Sequence, residues 1–335
     1  MEDDGRSNAT GDEFICKCFY SNNIFVHYLK RHVQYLNDEE FSNQMSKERS
    51  LKDEEIESVL TEIHDEVKRR KSLGFQSVER RKLIKAQYKP LHPHLYNIQE
   101  SFFRREFVDL VDYCKSESAT KSGILSRVEQ TSAPRVFSLP VFTREFCKQL
   151  IEELSHFEKS DFPKGRPNTM NRYGVLLDEI GFKDFIDILR VEYLQPITTL
   201  LYADIGGASV DSHRAFTVKY KHGEDTELNF HFDNAEITLN VSLNDDFDDG
   251  CLYFGNMRSE PTYASDCNEC KHSLGYGLLH RGQHMHGALP ITDGERCNLI
   301  IWMRSSEIRN QLCPMCDRIP DLQTTSGFGD GFTKT

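Results

Sequence analysis

The spacing of apolar residues changes near residue 214. Downstream, RAFTVKYK, LNFHFD, EITLNVSL, CLYF, GYGLLH and CNLIIWM are short runs, many of them alternating, broken by Gly, Asp and Asn. A period of two marks strands that bury one face. So many short strands need a second sheet or a closed sheet to cover those faces. The pattern suggests a jelly roll or a barrel-like sandwich. Upstream the period is helical. In IFVHYLKRHVQYL, residues Phe25, Tyr28, Leu29, His32, Val33 and Leu36 recur at three and four, which predicts a helix. Residues 53–71 continue that period, and ESFFRREFVDLVDYC (100–114) is a further amphipathic segment. TREFCKQLIEELSHFE (143–158) reads as a helix capped by Thr143, and 182–202 as another. The fold class expected is therefore α+β, a jelly-roll core with supporting helices behind a helical N-terminal region.

A chain of 335 residues has room for one large domain and a smaller one. The expected division is a helical region over 1–115, a polar Ser- and Thr-rich linker over 116–134, a catalytic domain over 135–310 and a tail over 311–335. No apolar run reaches the roughly 18 residues of a membrane-spanning helix. The acidic start MEDDGRSNATGDE does not read as a secretory signal, so an intracellular location, cytoplasmic or nuclear, is expected. The ten cysteines then read as reduced thiols. Two pairs, Cys267/Cys270 and Cys313/Cys316, have zinc-knuckle spacing, and together they would make a four-thiolate site; reduced pairs in surface loops are the plainer reading. A net charge of −12 disfavours nucleic acid as a partner. Residues 68–89 run against it, with nine Lys/Arg and the single Glu79. They read as a basic helix pair whose face is solvated, with a contact for an acidic partner or nucleic acid, or a nuclear import signal, as the alternatives.

The chemistry begins at LNFHFDNAE. His231 and Asp233 are two apart, so a strand projects both from one face. One imidazole and one carboxylate are two thirds of a facial triad, and the third member should be a histidine from a distant strand. Two His and one carboxylate leave open positions on an octahedral metal, the arrangement of non-haem Fe(II) oxygenases. Zinc would ordinarily be tetrahedral with one open position. LLHRGQHMHGALPITDGER offers His280, His284 and His286. Only His286 leads through Pro290 and a turn to Arg296 at the start of a strand. A guanidinium there suits a small dicarboxylate held by two hydrogen bonds.

H-x-D, a strand, then H-(x)9-R resembles the prolyl and lysyl hydroxylase branch of the 2-oxoglutarate and iron-dependent dioxygenases. AFTVKYK, HFDNAEITLNVSLN and LLHRGQHMHGALPITDGERCNLIIW extend the likeness to the catalytic domain of procollagen lysyl hydroxylases, over roughly 135–335. The resemblance implies that His231, Asp233 and His286 hold Fe(II), and that Arg296 pairs with the distal carboxylate of 2-oxoglutarate. Tyr220 and Asn240 fall where the lysyl hydroxylases contact the co-substrate. His280 matches a histidine that is not a ligand there, and His284 is expected to back the site or face solvent. DDFDDGCLYF has one glycine, Gly250, where relatives often have two or three; the difference is expected to touch no ligand.

The resemblance further implies hydroxylation of a C–H bond, with O2 consumed, succinate and CO2 released and ascorbate as reductant. A peptidyl side chain of an intracellular protein is the expected prime substrate. The alternative is an idle dioxygenase fold that works as a binding or scaffold protein through its basic N-terminal region.

Overall fold

The computed structural model describes residues 13–47, 51–261, 263 and 266–334. The acidic start at 1–12 lies outside the described residues. Two antiparallel sheets form the core. In the larger, the strand order is Glu129–Gln130, Phe137–Leu139, Gly277–Arg281, Ile237–Ser242, Ile291–Arg304 and Ser212–Lys221, with Phe247–Asp249 also paired to the start of Ile291–Arg304. In the smaller, it is Asn268–Cys270, Leu252–Met257, His284–Ala288 and Leu228–His231. Within the core most neighbouring strands are distant in sequence, as in a jelly roll.

The alternation assigns the two faces of the larger sheet. Leu239, Val241, Leu299, Ile301 and Met303 point outward and join a core with Phe146, Leu150, Phe185, Leu189 and Ile197 from the helices. The residues between them turn inward, where Phe216, Val218, Leu278 and Ile300 meet Leu252 and Phe254 of the smaller sheet. Strand Ile237–Ser242 is thus buried on both faces. Its inner face carries Thr238 and Asn240, polar residues that must find partners there.

The covering helices fall largely where the sequence puts them. Helix Arg144–Glu158 starts at Thr143, whose hydroxyl accepts from the Phe146 amide. The 182–202 segment is continuous helix, Lys183–Ile188 and Gln195–Leu201, joined by a π-helical stretch at Leu189–Leu194. Three expectations differ. Residues 24–36 form no helix: Ile24–Val26 and Arg31–Val33 make a hairpin, with Lys30 at φ 51° in the turn. Ile24 and Val26 are buried and Phe25 is exposed, so a period of two won over the three-and-four pattern. The reason is tertiary, because that face packs on Phe41, Met45, Ile56, Val59 and Ile63.

The second difference concerns the basic run, which is not a helix pair. Residues 68–87 of it lie within one 35-residue helix, Asp53–Gln87. Part of its charge is also spent internally. Arg70 donates to the carbonyls of Phe19, Asn22 and Asn23. Arg80 pairs with Glu179 at 2.7 Å, and Arg81 donates to the Gly327 carbonyl. The helix can lie this close to the tail because Gly74 has no side chain; a Cβ there would meet the Ser326 carbonyl at 2.0 Å. Third, the stretch 116–134 carries a helix, Lys121–Leu125, and a strand, Glu129–Gln130, that pairs with Phe137–Leu139. Among the described residues no helix is long and apolar enough to cross a membrane.

Candidate metal and co-substrate site

The two sheets enclose a cavity, and Tyr220, His231, Asp233, His286 and Arg296 converge on it. His231 ends one strand of the smaller sheet, and His286 lies directly opposite it on the neighbouring strand. Asp233 follows His231 by two, where its amide donates to the Gly282 carbonyl at 2.8 Å. His231 Nε2 lies 3.6 Å from Asp233 Oδ1, and His286 Nε2 lies 3.7 Å from Asp233 Oδ2. These separations exceed hydrogen-bond range and leave room for an ion among three donors, whose atoms all lie within 4.8 Å of one another.

The imidazoles are held in one tautomer. His231 Nδ1 lies 2.8 Å from the Asn229 carbonyl, and His286 Nδ1 lies 2.8 Å from the His284 carbonyl. A carbonyl only accepts, so each Nδ1 must carry its proton and each Nε2 offers a lone pair inward. Burial, then the neighbouring His231, pushes His286 down to about 4, so it is neutral near pH 7. Asp233 Oδ2 accepts from the Thr238 hydroxyl at 2.6 Å, and Gln283 Nε2 donates to the Asp233 carbonyl at 2.9 Å.

Arg296 lines the same cavity and is 1 % exposed. Its Nε donates to Asn298 Oδ1 at 3.1 Å and its Nη1 to the Gly250 carbonyl. Its Nη2 is buried without a partner. The guanidinium lies 5.5 Å from the Tyr220 ring centre and 5.7 Å from that of Phe247. Burial lowers its pKa, partly opposed by Tyr220. Among the described residues no carboxylate bonds to it, and a desolvated guanidinium without a bonded anion is costly. The donor set calls for an anion supplied from outside the chain.

Tyr220 and Asn240 also line the cavity. The Tyr220 hydroxyl accepts from Asn171 Nδ2 at 3.4 Å, and burial raises its pKa. Asn240 Oδ1 accepts from Asn298 Nδ2 at 2.6 Å, so Asn298 bridges Asn240 and Arg296. Thr238 and Asn298 were missed by the sequence reading, though each sits two residues from a named one, Asn240 and Arg296, on the same strand face. Asn168 and Asn171 also line the cavity, from a loop without periodicity, and nothing in their spacing marks them.

Of the two places expected for His284, the structure shows the one behind the site. His284 does not face solvent: it is 1 % exposed and shares the inner face with His286. Its Nε2 lies 2.7 Å from the Gly255 carbonyl. The cause is that residues two apart share a strand face, so His284 lies with His286 on the face turned toward the larger sheet. His280 is buried with its ring centre 4.7 Å from that of His286. Neither belongs to the group of converging donors. Gly250 reaches Arg296 through its carbonyl, so that loop touches the site after all.

The four-thiolate site that Cys267/Cys270 and Cys313/Cys316 could have shared is not formed. Cys270 sits between the sheets with Leu252 and Phe254, while Cys313 packs with Phe14, Cys16 and Phe332. The four thiols that converge among the described residues are Cys16, Cys18, Cys313 and Cys316.

Comparison with known proteins bears on the whole chain. Residues 84–207 match a family model described as an OGFOD2-like domain. The 2-oxoglutarate and iron-dependent oxygenase domain-containing protein 2 of Danio rerio is 50 % identical over 325 residues, covering 96 % of this chain and 94 % of its own. The protein of that name from Homo sapiens is 45 % identical over 326 residues, covering 95 % and 93 %. Procollagen-lysine,2-oxoglutarate 5-dioxygenase 1 of Mus musculus is 28 % identical over 216 residues, 61 % of this chain and 28 % of its own. With nearly full-length identity at this level, the chain belongs to the family of the 2-oxoglutarate and iron-dependent oxygenase domain-containing protein 2.

Proposed function

We propose that this chain is an Fe(II)- and 2-oxoglutarate-dependent dioxygenase that hydroxylates a C–H bond, with His231, Asp233 and His286 holding the iron and Arg296 the distal carboxylate of 2-oxoglutarate. The observation that carries the reading is Arg296, a buried guanidinium whose Nη2 has no partner and which bonds no carboxylate among the described residues, in one cavity with three converging donors. A bare two-histidine-one-carboxylate set would serve several chemistries. A dicarboxylate grip beside it narrows the choice.

Bound iron with 2-oxoglutarate supplies the oxidative decarboxylation that turns the 2-oxo acid and O2 into succinate and CO2, the second oxygen atom going to the prime substrate. The chain's own residues position and shield. Thr238 fixes the Asp233 carboxylate, and the Asn229 and His284 carbonyls fix the two rings. Asn298, in contact with both Arg296 and Asn240, supports the carboxylate grip. Phe254 stacks on the His286 ring at 5.5 Å and keeps that side dry. Tyr220 and Asn240 are proposed to contact the co-substrate, with ascorbate returning idle iron to the ferrous state.

For the prime substrate the proposal is a peptidyl side chain, in line with the likeness to a procollagen-lysine dioxygenase. Core likeness alone does not fix substrate choice. Proteomic comparison of cells with and without the protein tests it. The reading expects a peptide one oxygen atom heavier only where the wild-type chain, not His286→Ala, is present. Succinate formation without any such peptide would move the substrate to another chemical class.

A further inference from the structure

We infer that Cys16, Cys18, Cys313 and Cys316 form a structural zinc site that fastens the first described strand to the C-terminal tail. The four sulfurs all lie within 4.8 Å of one another. The Sγ atoms of Cys18 and Cys313 are 3.7 Å apart. A tetrahedral zinc with Zn–S bonds of about 2.3 Å puts its sulfurs about 3.8 Å apart, which matches. A disulfide needs about 2.05 Å, and all four cysteines are free. A polynuclear iron–sulfur cluster would hold its cysteines around a body several atoms wide, and thiols this close leave space for a single ion.

The local backbone is built for the purpose. Strand Glu13–Cys16 pairs with Leu322–Thr325, and the Lys17 amide between the first two thiols donates to the Asp321 carbonyl at 2.7 Å. The Cys313–Cys316 turn closes on itself. The Cys313 amide donates to the Arg318 carbonyl, the Asp317 amide donates to the Cys313 carbonyl, and Asp317 takes φ 55°. Cys16 and Cys313 are buried with Phe14 and Phe332 around them, so the set is closed, as structural zinc sites are. Four protein ligands leave no open position, and the site is structural on that count too.

The same turn braces the rim of the iron site. Arg258 donates to the carbonyl of Pro314 and pairs with Asp317 at 2.9 Å. Its guanidinium lies 4.2 Å from the ring centre of Phe232, the residue between His231 and Asp233. Zinc held by the tail therefore also fixes what backs two of the proposed iron ligands.

The test measures zinc and iron by mass spectrometry in the full chain purified without added chelator, in three forms: wild type, His286→Ala and Cys316→Ser. A single zinc per chain is expected in the first two, with zinc falling more than about tenfold in the third. Zinc absent from the wild type, or lost with His286 and kept without Cys316, overturns the site. Because Cys316→Ser could unfold, cobalt is also substituted into the His286→Ala chain, in which the second candidate metal group is disabled. The site requires near-ultraviolet sulfur-to-cobalt charge transfer and the visible bands of tetrahedral cobalt, saturating at one ion. Cobalt binding without sulfur bands, iron in the cysteine set, or a Cys18–Cys313 disulfide in the native protein each contradicts it.

Discussion

Replacing Arg296 with lysine separates grip from charge. Three of the guanidinium's nitrogens have distinct jobs: Nε binds Asn298, Nη1 binds the Gly250 carbonyl, and Nη2 has no protein partner and is free for a ligand. Lysine keeps the positive charge but presents one point donor in place of the planar fork. It cannot hold the Gly250 carbonyl and meet a carboxylate with two parallel bonds. Losing one charge-assisted hydrogen bond costs about 1.5–3 kcal/mol, which converts to a roughly 10- to 150-fold weaker affinity for 2-oxoglutarate. The assay is calorimetric titration of 2-oxoglutarate into protein loaded with a redox-inert divalent ion, with metal content measured on the same preparation. Metal content should stay near wild type, because a guanidinium is not a metal ligand. Unchanged affinity in Arg296→Lys would place the carboxylate anchor elsewhere and remove the observation on which the function rests. Metal lost from a folded variant would instead make Arg296 a support for the iron ligands.

Three further outcomes follow from the geometry. His286→Ala should abolish iron binding, whereas His284→Ala should keep most of it while losing about 1–3 kcal/mol of stability, because the buried Gly255 carbonyl loses its partner; iron content and denaturant midpoints separate the two. Gly250→Ala should lower Tm by an amount reflecting about 1–2 kcal/mol of left-handed backbone cost at φ 70°, and more for a Cβ only 2.6 Å from Ile291 Cγ2. It should also weaken 2-oxoglutarate, and a Tm unchanged from wild type would refute the contact. His213 sits between Asp178 and Asp187, each 3.2 Å from one ring nitrogen. Burial works against its proton, but the two carboxylates outweigh it and raise its pKa above the usual 6.5. Its stabilisation is therefore full below 6.5 and lost as pH rises through the raised value. The Tm gap between wild type and His213→Gln should shrink from pH 6 upward; a gap that grows with pH would reverse the sign.

How much of this was legible depended on the range of the interaction. His231 and Asp233 were readable from their i, i+2 spacing, although the strand ends at His231 and Asp233 lies just beyond it, and Arg296 from its place after the third histidine, although the strand that carries it already starts at Ile291. Thr238 and Asn298 obey the same rule and could have been read by it. The 24–36 hairpin was not readable from its pattern, since Phe25, Tyr28 and Leu36 supply a helical stripe that the fold leaves largely exposed. What decided it was the face that Ile56, Val59 and Ile63 present from a helix well downstream. The cysteine set was out of reach for the same reason. Cys18 and Cys313 are 295 positions apart, and only the pairing of Glu13–Cys16 with Leu322–Thr325 brings them together. The two CxxC pairs share a spacing but not a place. The role of Arg70, Arg80 and Arg81 likewise depends on carbonyls and a carboxylate remote in sequence.

The central claim is that O2 is split between 2-oxoglutarate and a prime substrate at this cavity. The most direct measurement is mass spectrometry of succinate formed from 2-oxoglutarate under 18O2, by the iron-loaded chain with and without cell extract, beside Asp233→Ala as control. The account predicts succinate carrying one 18O atom in its new carboxylate, more of it when extract supplies the prime substrate, and none from Asp233→Ala. Succinate without the label, or equal yields from the wild type and Asp233→Ala, would contradict it.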